Sequence, residues 1–330
     1  MEFTPQSILV TGGAGFIGSN FVTGLLARDS TVKVVDLDLL TYAGSPENLS
    51  EVDGNSRHVF VKGDICDAEL VGRLFSEHEI DSVVHFAAES HVDRSIEGPA
   101  AFVQTNIHGT FTLLEAARKA WLDQKKWGPE ECRFHHISTD EVYGTLSADD
   151  PPFSETTPYA PNSPYSAAKA SSDHLARAYF HTYGLPLVTT NCSNNYGPRQ
   201  HMEKLLPTVI RACHLGQPIP VYGDGSNIRD WLYVTDHCDG IETVFRRGTP
   251  GECYNIGGDS EMANIDLVRA ICRIMDQVDA KDDSHESLIT FVTDRPGHDW
   301  RYAIDGTKIR TELGWSPAET LESGLRKTVD

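Results

Sequence analysis

Residues 8–19 read ILVTGGAGFIGS. A short β-branched run, Ser7 to Gly13 at its widest, reads as a strand, and Phe16 to Arg28 reads as the helix that follows. The turn between them carries Gly13-x-Gly15-x-x-Gly18. In that pattern one glycine makes the turn, one lets the backbone approach a pyrophosphate and one packs the helix against the strand. The helix start then offers unpaired N–H groups and a partial positive charge to phosphates. An acidic residue ends the second strand-like run, 31–38, as Asp36 or Asp38. It stands about 20 residues on, where a ribose contact is required. A carboxylate there repels a 2′-phosphate, so the stretch predicts bound NAD rather than NADP.

Working outward, the same rhythm continues. Strand-like runs at 58–65, 81–89, 134–139 and 185–197 alternate with helix-like segments, among them an amphipathic one near 101–121. Such alternation predicts an α/β fold, a Rossmann-type doubly wound parallel sheet with helices on both faces. Gly63-Asp64-Ile65, after the third strand, is placed to border an adenine. Beyond Asn191 Gly and Pro become frequent, as in GQPIPVYGDGS and GTPGECYNIGGDS. These turns predict a smaller C-terminal lobe closing over a site on the sheet. The expected domains are 1–190 for the dinucleotide, with a return segment at about 231–257, and 191–230 with 258–330 for a substrate. In that return segment, 229–245 reads as strand then helix rejoining the first lobe.

The chain has 330 residues, 39% hydrophobic and 23% charged, with a formal net charge of −20. That charge argues against nucleic acid or anionic membrane as partner. No run approaches the roughly 18 apolar residues of a membrane span, and the start lacks a basic segment followed by an apolar one. Seven scattered Cys without C-x-x-C spacing suit reduced thiols and a cytoplasmic location. The 14 His show no ligand spacing, so no metal is expected.

Two further stretches carry chemistry. In SPYSAAKASSDHL, Ser163 is a candidate N-cap and Pro164 a first helical residue. Tyr165 and Lys169 then stand one turn apart on one face. A neighbouring ammonium and a positive nicotinamide are expected to lower the phenol from its ordinary value of about 10 toward a base at neutral pH. In RFHHISTDEVYG, 133–144, a buried-looking strand ends in Thr139, Asp140 and Glu141. Two adjacent carboxylates at a strand end have no packing role and are costly to desolvate. Beside a site of carbonyl chemistry they can supply one acid and one base, as elimination of water next to a ketone requires.

The fingerprint with Tyr165, Lys169 and Thr139 resembles the extended short-chain dehydrogenase/reductase superfamily. Along nearly the whole chain the residues resemble the dTDP-glucose 4,6-dehydratase family, through HFAAESHVDRSI, HHISTDEVYG, SPYSAAKASSDHL, NCSNNYGP, IRDWLYV and DRPGHDWRYAID. The Thr-Asp-Glu triplet is the specific part. The resemblance implies that Tyr165 deprotonates the C4 hydroxyl as NAD takes hydride from C4. Glu141 then removes the C5 proton, Asp140 protonates the departing C6 hydroxyl, and hydride returns to C6, with Lys169 on the nicotinamide ribose and Thr139 orienting the sugar. It places Gly12, Gly13, Gly15, Phe16, Ile17 and Gly18 on the cofactor, with Asp38, Thr41, Asp64 and Ile65 around its adenosine. Ala87, Ala88, Thr105 and Asn195 complete that set. It places Ser90, Asn194, Lys204, Leu205, Arg229 and Asn264 on the nucleotide sugar, Pro220 and Tyr222 by the base, and Asp294, Arg295 and His298 on the diphosphate side. It also implies a homodimer paired through helices near 101–121 and 165–183.

Three departures stand out. YGPRQHMEKL replaces the family's YGPYxFPEKL, the loop after Gly144 looks short, and relatives usually run beyond Asp330. Two rival expectations remain: the same reaction on UDP-glucose or another nucleotide-glucose, since uracil and thymine differ by one methyl worth only about 1–3 kcal/mol of discrimination, and an NAD-binding sensor without chemistry.

Overall fold

The computed structural model of the chain describes residues 2–124, 127–294 and 297–329. Strands β1 (Ser7–Thr11), β2 (Lys33–Asp38), β3 (His58–Lys62), β4 (Ser82–His85), β5 (Arg133–Thr139) and β6 (Leu187–Cys192) belong to one sheet. Strand β7 (Asn194–Tyr196) continues from β6; β8 (Ile219–Tyr222), β9 (Ile228–Tyr233), β10 (Cys253–Ile256), β11 (Glu261–Ala263) and β12 (Ile289–Val292) follow. The main sheet is wholly parallel, in the order β10-β6-β5-β4-β1-β2-β3. The order reverses between β1 and β4, which opens a crevice at the carboxyl ends of the strands.

Alternation along the strands feeds a core on each face. Ile8, Val10, Val34 and Val84 pack against helix α1 (Phe16–Arg28). Leu9, Val35, Val83 and Phe134 point the other way, against helix α2 (Ala68–Glu77) and the helices after it. Helix α2 was not anticipated. Its signals are the Asp67 cap, which accepts from the Glu69 and Leu70 amides, and apolar Val71, Leu74 and Phe75.

The predicted helix at 101–121 is broader than its periodicity suggests. After α3 (Val92–Glu97), α4 (Pro99–Phe102) and α5 (Thr110–Ala117) are joined and extended by wide π-type turns at Val103–Gly109 and Arg118–Asp123. Helix α6 (Pro164–Tyr183) starts as its sequence predicts, with a reciprocal box between Ser163 and Ser166 and Pro164 in the first turn.

The second lobe packs α7 (Leu205–Leu215) and α9 (Asn264–Val278) around Val209, Val221, Leu267 and Ile271; α10 (Leu321–Val329) adds Leu325. The 229–245 segment behaves differently from its reading. Helix α8 (Val234–Arg247) does pack on the main sheet's α1 side, through Ile241 and Val244. Its strand, β9, pairs instead with β7 and β11 in a three-stranded sheet. The reason is Trp231 and Tyr233, whose rings join the second lobe's core. The strand that reaches the main sheet is β10, at its edge beside β6.

Candidate active site

The fully buried strand β5 delivers the central residues. At its end the chain tightens into a single 3-10 turn, Asp140–Tyr143, capped by the Thr139 hydroxyl, which accepts from the Glu141 amide at 3.3 Å. Val142 and Tyr143 turn inward and anchor that turn in a small core with Leu146 and Phe153. Asp140 and Glu141 are thereby split. Asp140 is only 2% exposed, whereas Glu141 is half-buried. Burial, with the Glu141 and Asp230 carboxylates nearby, drives the Asp140 carboxyl well above its ordinary range. Arg229 opposes that push. Adjacent in sequence, the two acids are therefore unlike in environment, and Asp140 is the one whose carboxyl is pushed toward its protonated form.

Helix α6 brings Tyr165 and Lys169 beside the strand end. The Lys169 ammonium donates to the Ile137 carbonyl at 2.7 Å, and burial lowers its pKa. One further turn along, Asp173 accepts from His136 at 2.9 Å, Ser138 at 2.8 Å and Tyr159 at 3.0 Å, tying the helix to β5. The Tyr165 phenol is pushed well above its ordinary value, first by burial and then by Glu141. The lowering expected from sequence is thus not a property of the surrounding protein groups, because desolvation of the phenolate outweighs the hydrogen bond from Thr139.

These side chains line one cavity of about 390 Å³ at the crevice. Its other wall is the start of α1. Gly12 holds a φ of +76°, and a Cβ there would lie 2.7 Å from the Ala87 nitrogen, so only glycine fits. A Cβ at Gly18 would meet the Gly12 carbonyl at 2.2 Å. Gly15 caps α1 without a side-chain bond, and the first turn holds no acidic residue, so the helix end is open to an anion. Asp38 lines the cavity and fixes the turn by accepting from the Ala14 and Leu40 amides. Asp36 lies behind it and accepts from Gly13.

Every other residue expected on the cofactor borders this cavity; Gly13 does not, its Cα packing on Asp36. Among the residues expected on the sugar, Ser90, Thr139, Asn194, Lys204 and Leu205 line it. Pro220, Tyr222, Arg229, Asn264, Asp294 and His298 stand outside that lining, and Arg295 lies outside the described residues. Arg229 is buried, donating to the Ile228, Asp299 and Trp300 carbonyls with its guanidinium over the Tyr302 ring. Tyr222 and Asp294 gather at His298, which bonds Asp294 at 2.7 Å.

The sequence reading missed Tyr42, Glu89, His201, Glu203 and Trp231, all of which line the cavity. The Arg94 guanidinium sits 3.6 Å from the Tyr42 ring centre and 3.3 Å from Glu203, and His201 meets Tyr42 edge-on. The departing residues 199–202 contribute here. Arg199, at φ +70°, bonds Thr23 and Glu51 on the first lobe and holds the segment over the cavity. Only the clustering of aromatic and charged residues in LTYAG and RQHMEK hinted at this.

Among the described residues no three His, Cys, Asp or Glu side chains converge as a metal would require, and no helix is long and apolar enough to cross a membrane. Residues 9–328 match the family model described as GDP-mannose 4,6 dehydratase. The chain is 59% identical over 324 residues to a dTDP-glucose 4,6-dehydratase of Xanthomonas campestris pv. campestris strain B100, covering 98% of this chain and 92% of that one. It is 56% identical to dTDP-glucose 4,6-dehydratase 1 of Escherichia coli K12, with the same coverage. A crystal structure of the Streptomyces venezuelae dTDP-glucose 4,6-dehydratase with NAD and TYD bound is similar at a TM-score of 0.89 and 47% identity, covering 98% of this chain and 95% of that one. With its Thr-Asp-Glu turn beside a Tyr–Lys helix on one crevice of the parallel sheet, the chain belongs to the nucleotide-sugar 4,6-dehydratase family, among the dTDP-glucose 4,6-dehydratases.

Proposed function

We propose that the chain binds NAD in the crevice and converts dTDP-glucose to dTDP-4-keto-6-deoxyglucose with loss of water. The observation that carries this reading is the pair Asp140 and Glu141, one buried and one half-buried, beside Tyr165 on a single cavity. An oxidation alone needs no such acid and base. The open start of α1 and the Gly12 cradle fit a pyrophosphate, and Asp38 with Thr41, Asp64 and Ile65 fits an adenosine. NAD, when bound, supplies the acceptor and later donor of a hydride, and a positive ring that opposes the upward push on Tyr165.

The protein's own groups then do the rest. Tyr165, seated beside Lys169, takes the proton of the C4 hydroxyl. With a ketone at C4 the C5 hydrogen is acidic, and Glu141 removes it. Asp140, kept protonated by burial, gives its proton to the departing C6 hydroxyl, and Glu141 returns a proton to C5. Arg94, Tyr42 and Glu203 tie together segments that border the cavity.

In this reading residues 1–190 with about 231–257 hold NAD, and 191–230 with 258–330 hold the nucleotide. Arg229, Asn264 and the Asp294–His298 group come to the substrate from that second lobe. Ile96, Val103, Phe111 and Tyr183, all at least 41% exposed on α3, the 99–123 helix and α6, support pairing of two copies. Seven free thiols suit a cytoplasmic setting.

Mass spectrometry of the purified protein with dTDP-glucose and, separately, UDP-glucose tests the reading. Loss of one water from the dTDP sugar, faster than from the UDP sugar and without added NAD, is expected. A faster UDP reaction moves the nucleotide assignment, and no loss from either sugar with NAD supplied overturns the dehydration.

A further inference from the structure

Asp173 has no step in the reaction described above, yet it stands one helical turn beyond Lys169 on α6 and is buried. Burying a carboxylate costs free energy unless its oxygens are hydrogen-bonded. Here they accept from three donors. His136 Nε2 reaches Oδ1 at 2.9 Å, and the hydroxyls of Ser138 and Tyr159 reach Oδ2 at 2.8 and 3.0 Å. Burial lowers the His136 pKa, so the neutral ring donates through Nε2. A carboxylate only accepts, has lone pairs enough for all three bonds, and strengthens each with its charge.

Two arms of hydrogen bonds leave Asp173. The first goes to β5. His136 and Ser138 lie on one face of that strand, and Lys169 donates to the Ile137 carbonyl between them at 2.7 Å. Two α6 residues one turn apart thus hold three consecutive residues of β5, the three that lead into Thr139. That contact fixes the register of the helix carrying Tyr165 against the strand. The second arm runs through Tyr159. Asn191 on β6 donates from its one amide nitrogen to the Tyr159 hydroxyl at 3.2 Å and the Tyr143 hydroxyl at 2.8 Å. Tyr143 donates in turn to Asn255 on β10 at 3.0 Å. Tyr143 is the last residue of the 3-10 turn that holds Asp140 and Glu141. Asn191, Asn255 and Tyr143 are buried, so a broken bond in this arm leaves a group that is costly to satisfy otherwise.

Resting on the reaction assigned above, we propose that Asp173 is a positioning residue for the dehydration: its two arms hold the Tyr165–Lys169 helix and the Asp140–Glu141 turn at one fixed spacing. Asp173, His136, Tyr159, Asn191 and Tyr143 all lie outside the cavity lining, so they act through the residues they hold. In the reaction Tyr165 must reach the oxygen on C4 while Glu141 and Asp140 reach C5 and the C6 hydroxyl of the same sugar. A change in the spacing of helix and turn therefore slows the chemistry without loosening the hold on either ligand. Asp173 also opposes, by its charge, the lowering that burial imposes on the Lys169 ammonium.

Steady-state kinetics with dTDP-glucose, expressed per NAD-loaded site after the cofactor is released by denaturation and counted, test the proposal. Asp173→Ala is expected to lower kcat by about 100-fold, the cost of a misplacement of about 1 Å. Its KM should stay within a few-fold of the wild-type value and its NAD content should not change. Tyr159→Phe cuts only the arm to the turn and is expected to lower kcat by less. The double variant should be no slower than Asp173→Ala, because both changes break one chain of contacts. A kcat per loaded site within a few-fold of wild type in Asp173→Ala, however far its thermal midpoint falls, would reduce the carboxylate to a structural group. A loss carried by KM, or a double variant slowed by the product of the two single effects, would equally overturn the proposal. If Asp173→Ala does not fold, Tyr159→Phe and Ser138→Ala each cut one arm, and an unchanged kcat in both overturns it. Failure of the wild-type protein to dehydrate the sugar would sink the underlying reading instead.

Discussion

The two walls of the cavity are built in opposite ways. On the sheet side each working residue leaves the end of a regular element: Thr139 ends β5, Asp38 ends β2, and Tyr165 and Lys169 sit in the first two turns of a doubly capped helix. On the other side Gln200, His201, Glu203 and Lys204 come from an irregular segment held by contacts to distant residues, Arg199 to Thr23 and Glu51 among them. The difference teaches where precision is needed. Proton transfer demands placement within fractions of an ångström, which buried backbone provides. Recognition and closure tolerate, and use, a segment that can shift.

Three substitutions bear on that contrast. Tyr165→Phe removes only the hydroxyl, and product formation is expected to fall by about 10²- to 10⁴-fold, with bound NAD unchanged when the cofactor is released by denaturation and counted. A loss of NAD alongside activity would mean that the sheet wall is less independent of its cofactor than its geometry implies.

Asp140→Asn is expected to reduce turnover by about 100-fold and to change stability with a definite sign. The Asp140 carboxyl is raised in the folded protein, so folding binds a proton that the unfolded chain has already released. Stability is then lost as pH rises above the ordinary carboxyl range, and the loss grows toward the raised folded value. The thermal midpoint of Asp140→Asn should therefore exceed that of the wild-type protein at about pH 8, and the two should converge toward about pH 4. A constant gap across pH would show that Asp140 is ionised in the folded state, and would remove the acid from the mechanism.

The smallest effect belongs to the irregular wall. Arg199→Ala removes a bond to Thr23 and an ion pair with exposed Glu51. A loss of about 1 kcal/mol, a few-fold rise in KM with kcat nearly unchanged, is expected from steady-state kinetics. Should kcat fall as far as in Tyr165→Phe, the segment would have to be counted with the chemistry rather than with closure.

Much of this was legible beforehand because it is local. A glycine turn after a strand, a Ser-Pro helix start, and a four-residue spacing each describe themselves within a few positions. Thr139, Asp140, Glu141, Tyr165 and Lys169, proposed for the chemistry, and nearly all the residues proposed for the cofactor lie in such stretches. Tyr42, His201 and Glu203 did not, since their shared position depends on three loops meeting around Arg94. Nor did the partners of Arg229, whose guanidinium is taken up by carbonyls some seventy residues on, or the departure of β9 from the main sheet.

Local pattern was enough for the parallel α/β fold, the glycine turn at the crevice, a phenol and an ammonium one helical turn apart, and two carboxyls at a strand end. Folding is what buries Asp140 while leaving Glu141 half-buried, and what pushes the Asp140 carboxyl and the Tyr165 phenol upward. The reason is desolvation. A proton affinity is set by what excludes water from a group and by the charges that face it; for Asp140 burial comes first, then Glu141 next to it, and then Asp230 and Arg229, ninety and eighty-nine positions away along the chain.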